Sequence, residues 1–412
     1  MSRSFWQYRG KGPDRSCDVA VVGAGITGCS TAYWLSRMSP ERKIGLIDAY
    51  AVGAGASGRN AGFLLQGASS DYLKDRAAYG AEGARRLWRF TRASRDLLFE
   101  ELDGSAFDLE SSGSFVVAGT EQEDRRLREC VPVMRANGAP ATYFRAEETN
   151  KRLSSVGFGG SLYVPSGGML NPLALVRYLA AASRAETIEH APARSVEMRS
   201  NGVEIETDRC VIRADRVVLA VNAWLPQLFP SLERYVRPVR AQMLSTGPAG
   251  RRWLDVPIYS HEGYFYARQS LGGAVLAGGA RHLHAEAETG FGGGVTDAVQ
   301  RDIEEYLRTH FPAAAGLEVD RRWSGLMGFS PDRLPVIGSV PGVPGSLWAA
   351  GFSGHGVAYG FAFGQLLAHL VLERIPSTYE LFTADRFESP TRTWPAPSST
   401  RTAAAPLRSN RT

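Results

Sequence analysis

Apolar residues near the start of the chain occur in two spacings, as short uninterrupted runs and as amphipathic stretches. The runs at Cys17–Val22 and Lys43–Asp48 predict two buried strands, and the stretch between them, Ile26–Ser36, has the spacing of a helix. A strand, a helix and a second strand in this order predict a βαβ unit. A longer helical pattern follows at Ala77–Glu101.

Strand-like and helix-like patterns then alternate irregularly over the rest of the chain. Strands are predicted at Ser114–Ala118, Val203–Thr207, Val211–Val221, Gly263–Arg268 and Ala274–Gly278. Helices are predicted at Glu121–Asn137, Pro172–Arg184 and Thr296–His310. Because β-rich stretches interrupt an α/β framework twice, we expect a second domain built from insertions.

A long apolar stretch near the C-terminus, Leu347–Leu372, has the length of a membrane span. It contains five glycines and two histidines, and it divides into a strand, a glycine-rich turn and a helix. We therefore expect it to be buried core, and we expect no membrane association. The segment Arg392–Thr412 is rich in Pro, Ser, Thr, Ala and Arg, and we predict a disordered tail there.

Composition narrows the classes of function. With 412 residues, 44% of them hydrophobic, the chain is long enough for two domains and a buried cofactor. The net charge of +5 comes without a run of basic residues, so we expect no nucleic-acid partner. The four cysteines, Cys17, Cys29, Cys130 and Cys210, form no CxxC pair, which predicts neither a metal site nor disulfides and fits the cytoplasm. The N-terminus is polar, unlike a secretory signal.

The first βα turn carries a dinucleotide-binding pattern, with glycines at Gly23, Gly25 and Gly28. Gly23 permits a tight turn, Gly25 lets the backbone approach a pyrophosphate, and Gly28 lets the helix pack on the strand. The phosphates would lie at the positive end of the helix dipole. Asp48 ends the second predicted strand, where a carboxylate accepts hydrogen bonds from ribose hydroxyls and disfavours NADP.

Five motifs along the chain resemble one enzyme family. They are VVGAGITG with Asp48, GASGRNAG at 55–62, RVVLAVNAW at 216–224, WSGLMGFSPDRLPVIG at 323–338 and AAGFSGHGVAYGFAFGQLLA at 349–368. In this order they resemble the D-amino-acid-oxidase-like group of FAD enzymes, which includes glycine oxidase, sarcosine oxidase and γ-glutamylputrescine oxidoreductase. The resemblance covers residues 18–370, nearly all of the predicted folded chain.

The resemblance implies an α/β fold, in which a Rossmann-type FAD-binding domain carries an inserted α+β substrate domain on a mixed, largely antiparallel sheet. We expect the FAD-binding domain to comprise residues 17–88, 148–226 and 322–390. The substrate domain would comprise residues 89–147 and 227–321, and the tail residues 392–412.

The resemblance also implies cofactor contacts, carried over position by position. They are Gly23, Ala24, Gly25, Ile26, Thr27, Gly28, Asp48, Ala49, Ala56, Ser57, Arg59, Asn60, Ala61, Val196, Ala220, Asn222, Trp224, Gly351, Phe352, Ser353, Gly354, Gly356 and Val357. Arg59 and Asn60 stand where some relatives carry a flavin-linked histidine, and Gly325 stands where sarcosine oxidase has its linking cysteine. We therefore expect noncovalent FAD.

Candidate side chains for the reaction come from two segments. In GFSGHG, the glycines precede a predicted helix, whose free N–H groups would stabilise the negative charge of reduced flavin. His355 either adds its side chain to that site or is a structural histidine. Tyr264, Tyr266 and Arg268 alternate along YFYAR and share one strand face, where they either line the pocket roof or pack within the sheet.

One departure from the family pattern narrows the range of expected substrates. Members similar to glycine oxidase clamp the substrate carboxylate with an arginine, and this chain has Met327 at that position. Met327 is either part of the pocket or core. We expect an amine or N-substituted amino acid as substrate, unless Arg59, Arg268 or Arg281 replaces the clamp. This chain has no counterpart of the lysine with which sarcosine-oxidase-like enzymes promote the reaction of the flavin with oxygen. Whether oxygen or another electron acceptor reoxidises the flavin therefore stays open.

The expected reaction is hydride transfer from the carbon beside a neutral amine nitrogen to flavin N5, giving an imine that water hydrolyses. Positioning and flavin electronics would supply most of the catalysis. The candidates for this site are His355, Tyr264, Tyr266, Met327 and Arg281, and no metal is expected. A D-amino-acid or glycine oxidase that uses a different arginine, and a flavoprotein subunit without turnover, stay open as alternatives.

Overall fold

The computed structural model describes residues 12–68 and 71–388 of the chain. The predicted βαβ start is present as strand β1 (Arg15–Val22), helix α1 (Ile26–Met38) and strand β2 (Ile44–Ile47). The two strands pair in parallel and their apolar runs are buried, as expected of strands covered on both faces. The predicted tail at residues 392–412 lies outside the described residues.

The remaining elements alternate between strands and helices. The first half continues with β3 (Phe63–Leu64), α2 (Tyr72–Glu101), β4 (Ser114–Val117), α3 (Glu121–Ala136), β5 (Thr142–Phe144), α4 (Ala146–Arg152), β6 (Ser161–Val164), β7 (Gly168–Met169), α5 (Pro172–Ala182), β8 (Glu186–Ile188) and β9 (Ala193–Arg199). The second half adds β10 (Gly202–Thr207), β11 (Val211–Leu219), α6 (Leu225–Leu228), β12 (Arg237–Pro248), β13 (Ile258–Ser260), β14 (Phe265–Gln269), β15 (Ala274–Gly279), α7 (Asp297–His310), β16 (Val319–Phe329), β17 (Val336–Gly338), β18 (Ser346–Ala350) and α8 (Gly356–Val371).

Polar side chains fix where several helices begin. The Thr120 hydroxyl accepts a hydrogen bond from the N–H of Glu123 at 3.2 Å, which caps α3 at its predicted start. Helix α2 begins earlier than predicted, because the Asp71 carboxylate caps it by accepting from Lys74 N–H at 3.1 Å. Its first turns are separated from the rest by Gly80, whose φ of 75° lies in the left-handed region.

The first sheet has the strand order β17-β18-β11-β1-β2-β8, and β10 and β9 extend it antiparallel from β11. β1 lies between β11 and β2 and is parallel to both. Helices α1, α5 and α8 bury their apolar side chains in one core, together with Val19, Val21 and Leu46 from the sheet. This arrangement is the doubly covered parallel sheet of an α/β fold.

Helices α1 and α8 pack closely through two glycines of α8. A β-carbon on Gly360 would lie 2.7 Å from Ile26 Cγ2, and one on Gly364 would overlap the β-carbon of Ser30. Since Ile26 faces Gly360 and Ser30 faces Gly364, the two helices run in the same direction. Their N-termini therefore lie at the same end of the sheet, where α1 follows β1 and α8 follows β18.

The second sheet has the order β16-β12-β15-β14-β13-β4-β6-β5 and is antiparallel except for the parallel pair β13–β4. Helix α7 covers it with Ile303, Tyr306 and Leu307, which pack with Leu244 and Val275 of the sheet. The amphipathic spacing of α7 thus places its apolar side chains in this second core.

The sheet pairings bear on the expected domain division. Strand β6 falls within the segment 148–226 expected in the FAD-binding domain, yet it pairs with β4 and β5 of the second sheet. Most of β16 falls within the segment 322–390, and it pairs with β12 of that sheet. The division into two domains with these bounds stays a prediction.

The apolar stretch 347–372 forms β18, a turn and α8, as expected. None of the helices within residues 12–68 and 71–388 is long and apolar enough to cross a membrane.

Candidate functional site

The glycine-rich turn between β1 and α1 has the tight geometry that dinucleotide binding requires. Gly23 has a φ of 104°, and a β-carbon there would lie 2.6 Å from the carbonyl oxygen of Ala220. A β-carbon on Gly28 would overlap the carbonyl oxygen of Gly23. Only glycine fits at these two positions, so the chain turns tightly into α1, with Gly23 and Gly25 half-buried in front of the helix start, where a phosphate would bind.

Asp48 and Ala49 follow β2 directly beside this turn. One carboxylate oxygen of Asp48 accepts a hydrogen bond from Ala24 N–H at 2.7 Å, and the other accepts from Tyr50 N–H at 2.8 Å. Burial raises the pKa of this carboxyl, against the lowering effect of the two hydrogen bonds. The side chain is therefore fixed next to the turn, with acceptor capacity left for hydroxyl groups.

The loop 55–62 lies at the start of α1. Ser57 Oγ accepts a hydrogen bond at 2.9 Å from the N–H of Ile26, the first residue of α1, and Thr27 follows in the same turn. The Asn60 amide donates to the carbonyl oxygens of Ala56 and Ser57 at 3.0 and 2.8 Å, which folds the loop on itself. The two segments expected at the phosphates are thus in direct contact.

Arg59 connects the same loop to strand β16. Its guanidinium donates to the carbonyl oxygens of Ala54 at 2.8 Å and Ser324 at 3.1 Å, and the indole N–H of Trp323 donates to the Arg59 carbonyl at 2.9 Å. A β-carbon on Gly325 would lie 3.2 Å from Arg59 Cβ. The aliphatic part of Arg59 therefore covers Gly325, the position at which sarcosine oxidase has its flavin-linking cysteine.

The segment 351–357 forms the turn that leads into α8. Gly351 N–H donates to Asn222 Oδ1 at 3.0 Å, and Ser353 N–H donates to the Gly328 carbonyl at 2.8 Å. Phe352 and Val357 are buried beside them. Since Ala220 contacts Gly23, and Asn222 binds Gly351, the segment 220–222 joins the turns in front of α1 and α8.

His355 is the last residue before α8. It is 7% exposed, and its Nδ1 atom has no hydrogen-bond partner among the described residues. Burial, with a smaller contribution from the positive charge of Arg281, lowers its pKa to about 4. The imidazole is therefore neutral near pH 7, and a buried polar atom without a partner indicates a missing group at this position.

His355 contacts one of three aromatic rings that pack against one another, and these four residues form what we call the aromatic cluster: Phe63, Tyr259, Tyr266 and His355. Tyr259 and Tyr266 are opposite each other in the β13–β14 pair, with stacked rings 5.6 Å apart. Phe63 lies 5.6 Å from the Tyr259 ring, and His355 lies 5.9 Å from it. Burial raises the pKa of both tyrosines, so their hydroxyls stay protonated.

Arg281 lies beside the aromatic cluster. Its guanidinium carbon is 4.9 Å from the centre of the Tyr264 ring and 5.5 Å from that of Phe329. His282 stacks on Tyr264 at 4.2 Å. Among the described residues, no carboxylate forms an ion pair with Arg281. Its half-buried cation is held by ring faces alone.

Met327 faces the turn before α8 from strand β16. A β-carbon on Gly354 would lie 3.6 Å from its sulfur atom. Gly325, Met327 and Phe329 alternate along β16 and therefore share one face, which contacts in turn Arg59, Gly354 and Arg281. This face of β16 lines the site, and Met327 is half-buried on it.

A family model described as FAD dependent oxidoreductase (DAO) matches residues 18–370 of the chain. The chain belongs to this family. Among its curated relatives are the probable oxidoreductase OrdL of Rhizobium meliloti, 29% identical over 87% of this chain and 83% of the relative, and the γ-glutamylputrescine oxidoreductase of Escherichia coli, 26% identical over 86% and 84%. The crystal structure of glycine oxidase from Geobacillus kaustophilus superposes with a TM-score of 0.76 at 22% identity, covering 88% of this chain and 96% of that one.

As a DAO-family member, the chain is an FAD-dependent oxidoreductase, which confirms the predicted family, fold class, enzyme class and cofactor. The described residues fit that cofactor on three observations. The glycine turn before α1 has the tight geometry of a dinucleotide-binding turn, Asp48 offers acceptors beside it, and His355 holds an unpartnered nitrogen at the start of α8.

Three residues singled out from the sequence use their side chains in contacts within the protein. Val196 is buried in β9 opposite Ile205 with its side chain in a hydrophobic core, and a contact of its backbone with adenine stays a prediction. Trp224 is 41% exposed and contacts Phe291, 5.3 Å away. Arg268 is buried, and it donates to the carbonyl oxygens of Leu170 at 2.8 Å and Ala61 at 3.3 Å, which leaves it poorly placed for a substrate.

Sequence reasoning did not identify Phe63, Tyr259 and Phe329 as members of the site. Tyr259 lies opposite Tyr266 in a β-hairpin. Predicting that hairpin from the sequence IYSHEGYFYAR would have placed the two tyrosines side by side. Phe63 directly follows the GASGRNAG motif, and Phe329 follows Met327 at strand spacing.

Proposed function

We propose that this FAD-dependent oxidoreductase oxidises a C–N bond of an amine or N-substituted amino acid. A hydride leaves the carbon beside the nitrogen, the nitrogen lone pair forms the C=N bond, and loss of the N–H proton gives an imine. Water then hydrolyses the imine to a carbonyl compound and to ammonia or a smaller amine. FAD, when bound, supplies the electron acceptor for this step. Relatives of the chain carry names of enzymes for γ-glutamylputrescine, glycine and sarcosine, which are all amines.

The observation that carries the proposal is the aromatic cluster at the start of α8. Phe63 directly follows the 55–62 loop and His355 belongs to the turn before α8, the two segments implied to contact FAD, and Tyr259 contacts both of these residues. Rings in this place exclude water and orient an apolar C–H group, and positioning of that kind is the main contribution a protein makes to such a reaction.

The electrostatics of the site favour the neutral form of an amine. Tyr259 and Tyr266 are uncharged, His355 is neutral because burial lowers its pKa to about 4, and Arg281 contributes a positive charge. A positive neighbour and burial both lower the pKa of a bound ammonium group. A neutral amine has the lone pair that hydride loss requires.

We also propose that FAD is bound noncovalently. The residues at the two positions where relatives attach the flavin are Arg59 with Asn60, and Gly325, none of which forms such a bond. Arg59 and Asn60 use their side chains to hold backbone carbonyl groups, which gives them a structural role in the loop.

The proposal is tested by mixing the purified FAD-loaded protein, without oxygen, with a panel of primary amines, N-methyl amines and N-methyl amino acids. We expect the flavin absorbance to bleach with at least one member of the panel, because the substrate reduces the bound flavin directly. Dithionite reduction serves as the control that the flavin is accessible to reduction. A protein that dithionite bleaches and no amine bleaches would contradict the proposal and support a subunit without turnover.

A further inference from the structure

Arg281 is aimed by the backbone at the end of β15. Ala280 has a φ of 60°, and its N–H donates to the Tyr264 carbonyl at 2.9 Å. This hydrogen bond turns the chain immediately before Arg281, so that the side chain crosses the Tyr264 ring. The arginine is therefore positioned by the β14–β15 hairpin, which also carries Tyr266 of the aromatic cluster.

The other two candidate arginines, Arg59 and Arg268, already have partners, as do Arg240 and Arg252 of the same region of the chain. Arg59 and Arg268 donate to backbone carbonyl groups, and Arg240 and Arg252 form ion pairs with Glu288 and Glu110. Arg281 differs from all of them, because its described contacts are with the faces of two rings. Contact through the faces leaves the N–H groups at the rim of the guanidinium unused.

The ring contacts also place Arg281 in the candidate site formed by β16, the turn before α8 and the aromatic cluster. Phe329, one of the two rings, shares the site-lining face of β16 with Met327. The charge of Arg281 is close enough to act on His355, Tyr259 and Tyr266 of the aromatic cluster. An unpaired cation half-buried at this point indicates an anionic partner that enters with the substrate.

We propose that Arg281 binds a carboxylate group of the substrate, so that the substrate is an amine that also carries a carboxylate. A carboxylate matches the planar fork of a guanidinium and forms two parallel hydrogen bonds with it. The inference rests on the proposed amine oxidation and deepens it, because it separates carboxylated amines from simple amines and polyamines. Arg281 is then a specificity-determining residue, held against Phe329 on the same face of β16 as Met327.

The test compares N-methyl amino acids with the matching N-methyl amino amides, which lack the negative charge. The carboxylate is placed one, two or three carbons from the amine, since an α-carboxylate and a more distant one would both suit Arg281. Reduction of the bound flavin is followed without oxygen for the wild type, Arg281→Gln, Arg281→Lys and the surface control Arg308→Gln. Arg308 pairs with Glu304 on the exposed face of α7.

For the best carboxylated amine we expect Arg281→Gln to raise the concentration that half-saturates flavin reduction about 10- to 100-fold, the range for a lost charged hydrogen-bond pair. Arg281→Lys should recover part of that loss, and Arg308→Gln should match the wild type. The amides should be poor substrates of the wild type and should change little in Arg281→Gln. The carbon spacing that gives the lowest half-saturating concentration then identifies the position of the carboxylate.

A second readout is independent of turnover. Binding of an unreactive carboxylate such as propionate is followed by the change in flavin absorbance, and Arg281→Gln should weaken this binding by a similar factor. If amides and carboxylates reduce the flavin equally well and Arg281→Gln changes neither readout, the carboxylate inference is wrong while amine oxidation stands. If no amine of either kind reduces the flavin, the proposed function itself fails.

Discussion

At the scale of single residues, His355 combines burial with an unpartnered ring nitrogen, so its protonation couples to folding. Its pKa is lowered from 6.5 to about 4 in the folded chain, chiefly by burial. As the pH falls below 6.5, the unfolded chain binds this proton first, and stability is lost between about pH 6.5 and pH 4. Neutral His355 is thus the form in which the fold is most stable.

This coupling predicts the behaviour of His355→Gln. Between about pH 7 and about pH 5, the free energy of unfolding of the wild type should fall by about 2 kcal/mol more than that of the variant. His261 and His282, whose pKa values are also lowered to about 4, are present in both proteins and cancel in the comparison. Urea unfolding at the two pH values measures the difference. An equal loss in both proteins would show that His355 is not held neutral by the fold.

Gly278 provides room for the Tyr266 ring. The two residues are opposite each other in the β14–β15 pair, and a β-carbon on Gly278 would lie 2.5 Å from the ring. Gly278→Ala should therefore displace Tyr266 from the aromatic cluster and lower kcat/KM for the amine by about 10- to 100-fold.

Gly272, in the turn of the same hairpin, is the matched control, because a β-carbon there would meet only Ser270 Oγ at 3.9 Å. The rate of flavin reduction is measured for both alanine variants at equal FAD content. Equal rates in Gly278→Ala and Gly272→Ala would remove Tyr266 from the substrate site.

At the scale of elements, a buried ion pair supports the segment 281–296 that begins with Arg281. Arg240 on β12 and Glu288 are both nearly inaccessible, with a guanidinium–carboxylate distance of 2.6 Å. Gln242 donates to the same carboxylate at 2.9 Å and to Thr296 Oγ1 at 2.8 Å. These contacts attach the middle and the C-terminal end of the segment to β12.

Glu288→Gln should lower the free energy of unfolding by about 3 kcal/mol or more, because it leaves the Arg240 cation buried without its partner. Glu148→Gln is the control, since Glu148 pairs with Arg152 on an exposed helix face, and such pairs contribute about 0–1 kcal/mol. Chemical unfolding of both variants measures the difference. A loss in Glu288→Gln no larger than in Glu148→Gln would contradict the supporting role of the pair.

The elements with local signals were the ones that the sequence predicted well. Helix α3 has a Thr120 cap, and α5 begins at Pro172 after the cap Asn171, so their starts matched the prediction. Strands β12 and β16 were missed, although they form the longest pair of the second sheet. Their pairing partners are distant in sequence, and β16 carries mostly half-exposed residues, so no local apolar pattern marks it.

The site residues likewise fall into those that a local sequence pattern predicts and those that it does not. The turn around Gly23 and the acid Asp48 were predictable, because a dinucleotide-binding turn uses residues close together in sequence. The aromatic cluster joins Phe63, Tyr259, Tyr266 and His355 from four separate segments. Only the pairing of β13 with β14 and the approach of α8 bring these side chains together, and no spacing within one segment encodes that contact.

At the scale of the whole molecule, the two sheets meet at the cofactor segments. The loop 55–62 lies at the start of α1 in the first sheet's layer, and Arg59 bonds to β16 of the second. The turn before α8 contacts β16 through Ser353 and Gly328. A cofactor bound along these segments would therefore lie between the parallel sheet and the antiparallel one.

Noncovalent binding predicts how the whole protein releases its cofactor. After denaturation in acid or urea, all of the flavin should separate from the polypeptide on filtration and be recovered as FAD. The absorbance of the filtrate against that of the retained protein measures this. Flavin that stays with the denatured chain would show a covalent link and would contradict the structural role given to Arg59, Asn60 and Gly325.

The central claim, oxidation of a C–N bond beside the aromatic cluster, is tested most directly by the products of one turnover. FAD-loaded protein is mixed without oxygen with the amine that bleaches it, and the carbonyl compound and the smaller amine are quantified against the reduced flavin. We predict one carbonyl compound and one released ammonia or amine for each flavin reduced. Reduced flavin without a carbonyl product, or a product in which the C–N bond is intact, would contradict it.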